Sequence, residues 1–144
     1  SYAGITIDSG ASVTVNSNGF PTSTPKITNN GTLTGTSGDW NLYYGVENNV
    51  GATWTATSGI TSTSAAPFVI NGTFNHNNGT ISYSPNIATS NFDPKGTTFY
   101  NLTLSGMTLS GSKFYLLSDF DVAGNLSALA SGVNDEKRST THRN

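Results

Sequence analysis

Apolar residues along this chain recur at every second position. Ile5 and Ile7 bracket Thr6, Val13 and Val15 bracket Thr14, Ile81 and Tyr83 bracket Ser82, and Leu102 and Leu104 bracket Thr103. The alternation continues through Met107 and Leu109, Phe114 and Leu116, and Phe120 and Val122. A period of two is the mark of strands that bury one face, since successive side chains on a strand point to opposite sides. Each run is short. Between the runs stand Ser9-Gly10, Asn18-Gly19, Asn30-Gly31, Asn71-Gly72, Asn78-Gly79, Ser110-Gly111 and Gly124-Asn125. These pairs reach positive φ at little cost and predict tight corners.

Short strands with Gly/Asn corners suit a sandwich, a barrel or a solenoid. Repetition favours the solenoid. Asn-Gly-Thr followed by an apolar residue recurs at Asn30, Asn71 and Asn78, and the run from Phe99 to Leu104 is echoed from Asp121 to Ala128. Asn78 to Asn101 is 23 residues, Asn101 to Asn125 is 24, and Asn30 to Asn71 is 41, near two such periods. A period in the low twenties gives three strands and three corners per coil. Five or six coils stacked about 4.8 Å apart make a rod roughly 25–30 Å long. The expected fold is therefore all-β, a short parallel β-solenoid (β-helix) over residues 1–128. The alternative is a β-sandwich or jelly-roll filament subunit with strand donation. Residues 38–59 carry Trp40, Tyr43, Tyr44 and Trp54 but little repeat signal, and are expected to form an irregular coil or an excursion that packs on the side of the solenoid. Residues 129–144 lose the alternation, gather Asp135, Glu136, Lys137, Arg138 and Arg143, and read as a polar tail.

Composition narrows the class. Ser, Thr, Asn and Gly make up about half of the 144 residues, 34% are hydrophobic and 10% are charged. Such a chain has little apolar surface to offset ordering entropy. A net charge of only −2 and the strict patterning nevertheless argue for a folded domain. With no cysteine there is neither a disulfide framework nor thiol chemistry. Six Lys plus Arg are too few for a nucleic-acid footprint. No apolar run is long enough for a membrane span. The start at Ser1 reads as a mature, processed or excised segment.

The stretches Phe99-Tyr100-Asn101-Leu102-Thr103-Leu104-Ser105-Gly106 and Leu117-Ser118-Asp119-Phe120-Asp121-Val122-Ala123-Gly124-Asn125-Leu126, with the upstream Asn-Gly-Thr runs, resemble repeat regions of large prokaryotic surface proteins, the filamentous haemagglutinin-like adhesins and related β-solenoid stalks. The resemblance covers about Phe68 to Leu126 and, more loosely, Ile5 to Leu33. It implies secretion, a right-handed solenoid and an adhesive or scaffolding role at the cell surface.

Candidate chemistry is sparse. Asp119 and Asp121 share a strand face, as a Ca²⁺-binding or acid–base pair would, but the reading favoured is that they are outward positions alternating with buried Phe120 and Val122. His76 and His142 are the only histidines, and no serine lies in a Gly-x-Ser-x-Gly elbow. No catalytic residue, metal site or cofactor is therefore expected. Asn30, Asn71, Asn78, Asn101 and Asn125 head sequons and are candidate glycan acceptors in a secreted protein. Thr-x-Thr triplets at Thr32-Thr34-Thr36, Thr53-Thr55-Thr57 and Thr61-Thr63 resemble an ice-binding array, but their spacing is not expected to bring them to one coil position. A solenoid end exposes unpaired strand edges, so the expected partner is another copy, head to tail, with surface glycans as a further ligand class. The residues expected at a lateral or intersubunit contact are Ile5, Ile7, Val13 and Val15 on the first strands and the large amphipathic aromatics Trp40, Tyr43, Tyr44 and Trp54, for which a place in a side core is the equal alternative. The functional expectation is a structural subunit of an extracellular filament or adhesin, with a carbohydrate-binding or carbohydrate-cleaving β-helix, or an ice-binding domain, as alternatives.

Overall fold

The computed structural model describes residues 4–17, 19–20, 24–64, 68–85, 89–105 and 113–128. Among them are seventeen strands, all joined in parallel pairs. They fall on three faces of one β-solenoid. Face A stacks β1 (Ile5–Ile7), β3 (Ile27–Asn29), β6 (Val46–Asn48), β9 (Phe68–Ile70), β12 (Thr89–Asp93) and β15 (Lys113–Leu116). Face B stacks β2 (Ser12–Val15), β4 (Thr32–Gly35), β7 (Thr53–Thr55) and β10 (Thr73–Asn75), followed by the pair β13 (Thr98–Phe99) and β16 (Asp121–Val122). Face C stacks β5 (Trp40–Asn41), β8 (Ile60–Thr63), β11 (Thr80–Tyr83), β14 (Asn101–Leu104) and β17 (Leu126–Ala128). The chain visits A, B and C in turn and climbs about five turns. The expected corner at Asn18-Gly19 is described only in part. Met107, Leu109, the Ser110-Gly111 corner and the polar tail lie outside the described residues.

Residues 38–59 do not form the irregular coil or side excursion that their weak repeat signal led one to expect. They supply β5, β6 and β7, one strand to each face. Their inward residues Trp40, Leu42, Val46, Trp54 and Ala56 are fully buried. The repeat is masked because coil length varies: Asn29 meets Asn48 after 19 residues, whereas Asn101 meets Asn125 after 24. Strands hold their register while corners absorb insertions.

Inward side chains form vertical files. On face B, Leu33 underlies Trp54 and Trp54 underlies Phe74. The Trp54 and Phe74 rings meet edge-on at 4.9 Å, and Phe74 reaches Phe99 at 5.6 Å. On face A, Phe68 stacks on Phe92 at 5.2 Å and 22°. Such ring pairs add about 0.5–1.5 kcal/mol beyond area burial. Two buried asparagines complete the lower coils. The Asn29 side-chain amide donates to Asn48 Oδ1 at 2.8 Å and to the Thr53 carbonyl at 2.9 Å, and Asn48 donates to the Thr73 carbonyl at 2.9 Å. These bonds reach carbonyls at the start of β7 and β10 in the coil above, and Asn29 Oδ1 also accepts from the Gly31 N–H at the corner, 3.1 Å away. Higher up, the buried Tyr83 hydroxyl is hydrogen-bonded with Ser90, and burial pushes its phenol above its ordinary pKa.

The corner glycines do not all serve the role expected of them. Gly31 and Gly72 are not at positive φ; a Cβ on Gly31 would collide with the carbonyls of Asp8 and Ala11, and one on Gly72 with those of Asn49 and Ala52. Close coil-to-coil approach, not left-handed backbone, demands glycine there. At Asn78-Gly79 it is Asn77 and Asn78 that take positive φ, at 47° and 55°.

Truncating Trp54 to Ala, inside the stack, is expected to cost about 3–5 kcal/mol. Asn48→Ala, which removes the buried bonds from Asn29 and to the Thr73 carbonyl, is expected to cost about 1–3 kcal/mol. Val50→Ala, at a position 85% exposed, should stay within about 0.5 kcal/mol of the parent. Denaturant melts of the three variants check the order.

Candidate functional site

The two ends of the solenoid and face B hold the features that a function can use. On each face one inward file runs the length of the rod. The face A file is Ile5, Ile27, Val46, Phe68, Phe92, Leu116. The face C file is Trp40, Thr61, Ile81, Leu102, Leu126, and the Asn41 N–H to Phe20 carbonyl bond places Phe20 beneath Trp40. Members in the middle of these files are almost wholly buried. The terminal members are not: Ile5 is 37% exposed, Val13 on face B is 40% and Leu126 is 40%. They face inward like their neighbours but have no coil beyond them among the described residues. Strands β1 and β2 end their sheets at one extremity, and β15, β16 and β17 at the other. Among the described residues no strand lies beyond them, so each presents one edge without a described ladder partner.

The eight expected contact residues therefore divide. Ile5 and Val13 are exposed at the first coil, Val15 is half-buried, and Ile7 is buried at 3%. Tyr43 and Tyr44 are exposed at the corner between faces C and A, their rings edge-on at 4.9 Å and 78°. Trp40 and Trp54 are core residues, fully enclosed, and are not available to a partner. Their size and scarcity drew attention, but alternation within β5 and β7 turns both inward.

Face B presents a second arrangement that the residue spacing concealed. Ser12, Thr32, Thr53 and Thr73 stand in one outward file, and Thr14, Thr34, Thr55 and Asn75 in the next. Contrary to expectation, the first two Thr-x-Thr triplets do occupy one coil position. The third does not, since Thr61 and Thr63 point into the core. Thr57 is buried as well, donating to the Gly38 carbonyl at 2.6 Å. The two files form a sheet surface without charge, repeating about 4.8 Å across strands and about 6.6 Å along them.

Among the sequon asparagines, Asn71, Asn78 and Asn125 are exposed. Asn30 is half-buried and accepts from Asn49 at 2.7 Å, and Asn101 uses its amide nitrogen on Thr80 Oγ1 at 3.3 Å while its oxygen accepts from the Asn125 N–H at 2.9 Å. A glycan bonds through that nitrogen, so the exposed three are the accessible acceptors.

Asp119 and Asp121 are both exposed, with half-buried Phe120 between them, and no cluster of metal-ligating side chains forms among the described residues. His76 lies beside Tyr100, ring centroids 5.6 Å apart, and His142 falls outside the described residues. The acid with a resolved perturbation is Asp93, which no sequence motif marked. Partial desolvation, the largest single influence, raises its pKa, but bonds from Lys95 and Ser118 together with the Lys95 charge outweigh it and hold the carboxyl below its usual range. Lys95 Nζ lies 2.7 Å from Asp93 Oδ2, and Ser118 donates to Oδ1 at 2.7 Å. Ser118 in turn accepts from the Lys95 N–H at 2.6 Å, so the group ties the last coil to the one below it.

No family model, curated protein or solved structure matches the chain. The class shown is that of its fold, a parallel β-solenoid.

A carboxyl lowered on folding stabilises the fold above its unfolded pKa, and that contribution is lost as pH falls through the folded value. Asp93→Asn is therefore expected to lose less stability than the parent between about pH 5 and pH 2. Thermal melts across that window check it; parallel curves would contradict the assignment.

Proposed function

We propose that this chain is a structural segment of an extracellular filament or cell-surface adhesin stalk and that it self-associates end to end through its terminal coils. The observation that carries the reading is the exposure of Ile5 and Val13 at one end and Leu126 at the other, in files whose middle members, half-buried Phe74 apart, are buried. A stack whose ends retain core-type surface gains from another coil on top, because each added coil both buries apolar area and completes a ladder. A heterologous contact of this kind generates an open fibre. The low charge and the Ser/Thr/Asn-rich surface suit close static packing, and the resemblance to prokaryotic surface repeats supports secretion and a scaffolding role over catalysis. The exposed sequons Asn71 and Asn78 would carry glycans on the sides of such a rod, away from its ends, whereas Asn125 stands beside β17 in the last coil.

The expected result is concentration-dependent rods in sedimentation velocity and negative-stain microscopy. Val13→Asp should shift the population to monomer while leaving the melting temperature within a few degrees. Monodisperse particles at all concentrations would overturn the reading.

The face B array favours a second reading, an ice-binding surface. Its regular hydroxyl and methyl files match a periodic ligand, and a water lattice is the simplest one. Thr34→Lys at the centre of the array is then expected to abolish inhibition of ice recrystallisation, with Ser62→Lys on face C as the neutral control. A parent protein without such inhibition removes this reading and leaves the first untouched.

A further inference from the structure

The stacking that joins one coil to the next also fixes how two copies meet. This inference rests on the end-to-end reading above and names the partner surface and its register. Within the chain, the upper surface of every coil accepts the lower surface of the next. The first and last coils therefore carry complementary halves of a contact the protein already makes along its whole length. That continuity points to a second copy, in parallel orientation, on the terminal coils, beyond which no strand lies among the described residues.

We propose that the first coil of one copy seats on the last coil of another in the solenoid's own register, Ile5 over Leu116, Val13 over Val122 and Phe20 over Leu126. The first of these pairs extends the face A file and the last the face C file; the second extends the face B pair Phe99–Val122. All six side chains are apolar and all are exposed or half-buried in the single chain. The outward positions are compatible too, with Thr6 above Leu117 and Ser12 above Asp121 by the same count.

One position opposes the contact. At the corner between faces A and B, Asp8 lies beneath Asn30, and the Asn49 amide donates to Asn30 Oδ1. The Gly96 N–H to Asp119 carbonyl bond puts Asp119 above Lys95 at the top of the same corner. In the proposed register Asp8 of one copy meets Asp119 of the other, two carboxylates about one coil spacing apart. Lys95, one coil down, is ion-paired with Asp93. Like charges at that separation weaken the junction and make it sensitive to salt. Asp8→Asn removes the repulsion and extends the asparagine run formed by Asn30, Asn49 and Asn71.

Cysteine cross-linking tests the register directly, because the chain has no cysteine of its own. One full-length copy carries Leu117→Cys; the other carries either Thr6→Cys or, one coil higher on the same face, Thr28→Cys. Paired positions on neighbouring parallel strands lie within disulfide reach, whereas one coil further is out of range. The expected result is a disulfide between the Leu117→Cys and Thr6→Cys copies, at least tenfold faster than with Thr28→Cys, and several-fold faster again when Asp8→Asn is added at low salt. Equal rates for the two partners, or no effect of Asp8→Asn, would overturn the register. Rods that form without the Thr6–Leu117 cross-link sink this inference but leave self-association standing. An absence of both rods and cross-links sinks both.

Discussion

Each coil of this protein is held by parallel backbone hydrogen bonds to the coil beneath it, and every other feature answers to that constraint. A coil that must hydrogen-bond along its length cannot slip by one residue without turning its inward residues to solvent. The inward files therefore continue from coil to coil even where their chemistry changes, as Val46 gives way to Phe68 or Trp54 to Phe74. Where the strands stop, the ladder stops, and the corners need other partners. The Asn29–Asn48 pair supplies them for the lower coils, and the Asp93–Lys95–Ser118 group ties the upper ones.

The same constraint separates the stable part of the molecule from the surfaces free to act. Side chains that fill the files are committed to packing, which is why both tryptophans are structural. What remains is of two kinds. The sides carry short polar residues in ordered files, most regular on face B, where stacking turns separate triplets into a lattice. The ends carry apolar residues of core type with no further coil over them among the described residues. A rod built in this way has chemically distinct sides and ends, and the functional readings drawn from it differ in which of these they use.

Charge is used sparingly. Lys26 pairs with Glu47 at 2.9 Å on face A, and Lys95 pairs with Asp93 near the last coil. Both pairs connect or flank successive coils on the outside of the rod, where solvent limits their worth. Asp8 and Asp119, at opposite extremities of one corner, are of a different kind: they matter only when two ends approach.

The sequence alone determined the strands and pointed to the solenoid, because a period of two at Ile5–Ile7, Val13–Val15 and Ile81–Tyr83 leaves little choice but strands, although the Asn-Gly-Thr runs at Asn71 and Asn78 stand at different corners of one coil. It also located one corner correctly, since Asn30 and Asn71 occupy equivalent places two coils apart. It left Trp40 and Trp54 open between core and contact, hid the place of residues 38–59 in the coils, and misjudged the register of the threonine triplets. The last two share one cause. Corners of variable length hide which residue lies above which, and only the tertiary structure, through its hydrogen-bonded ladders, restores that count. Burial at the ends is a property of the stack and not of any strand, so the contrast between Val13 and Leu33, chemically similar and one coil apart, was decided by the folded structure.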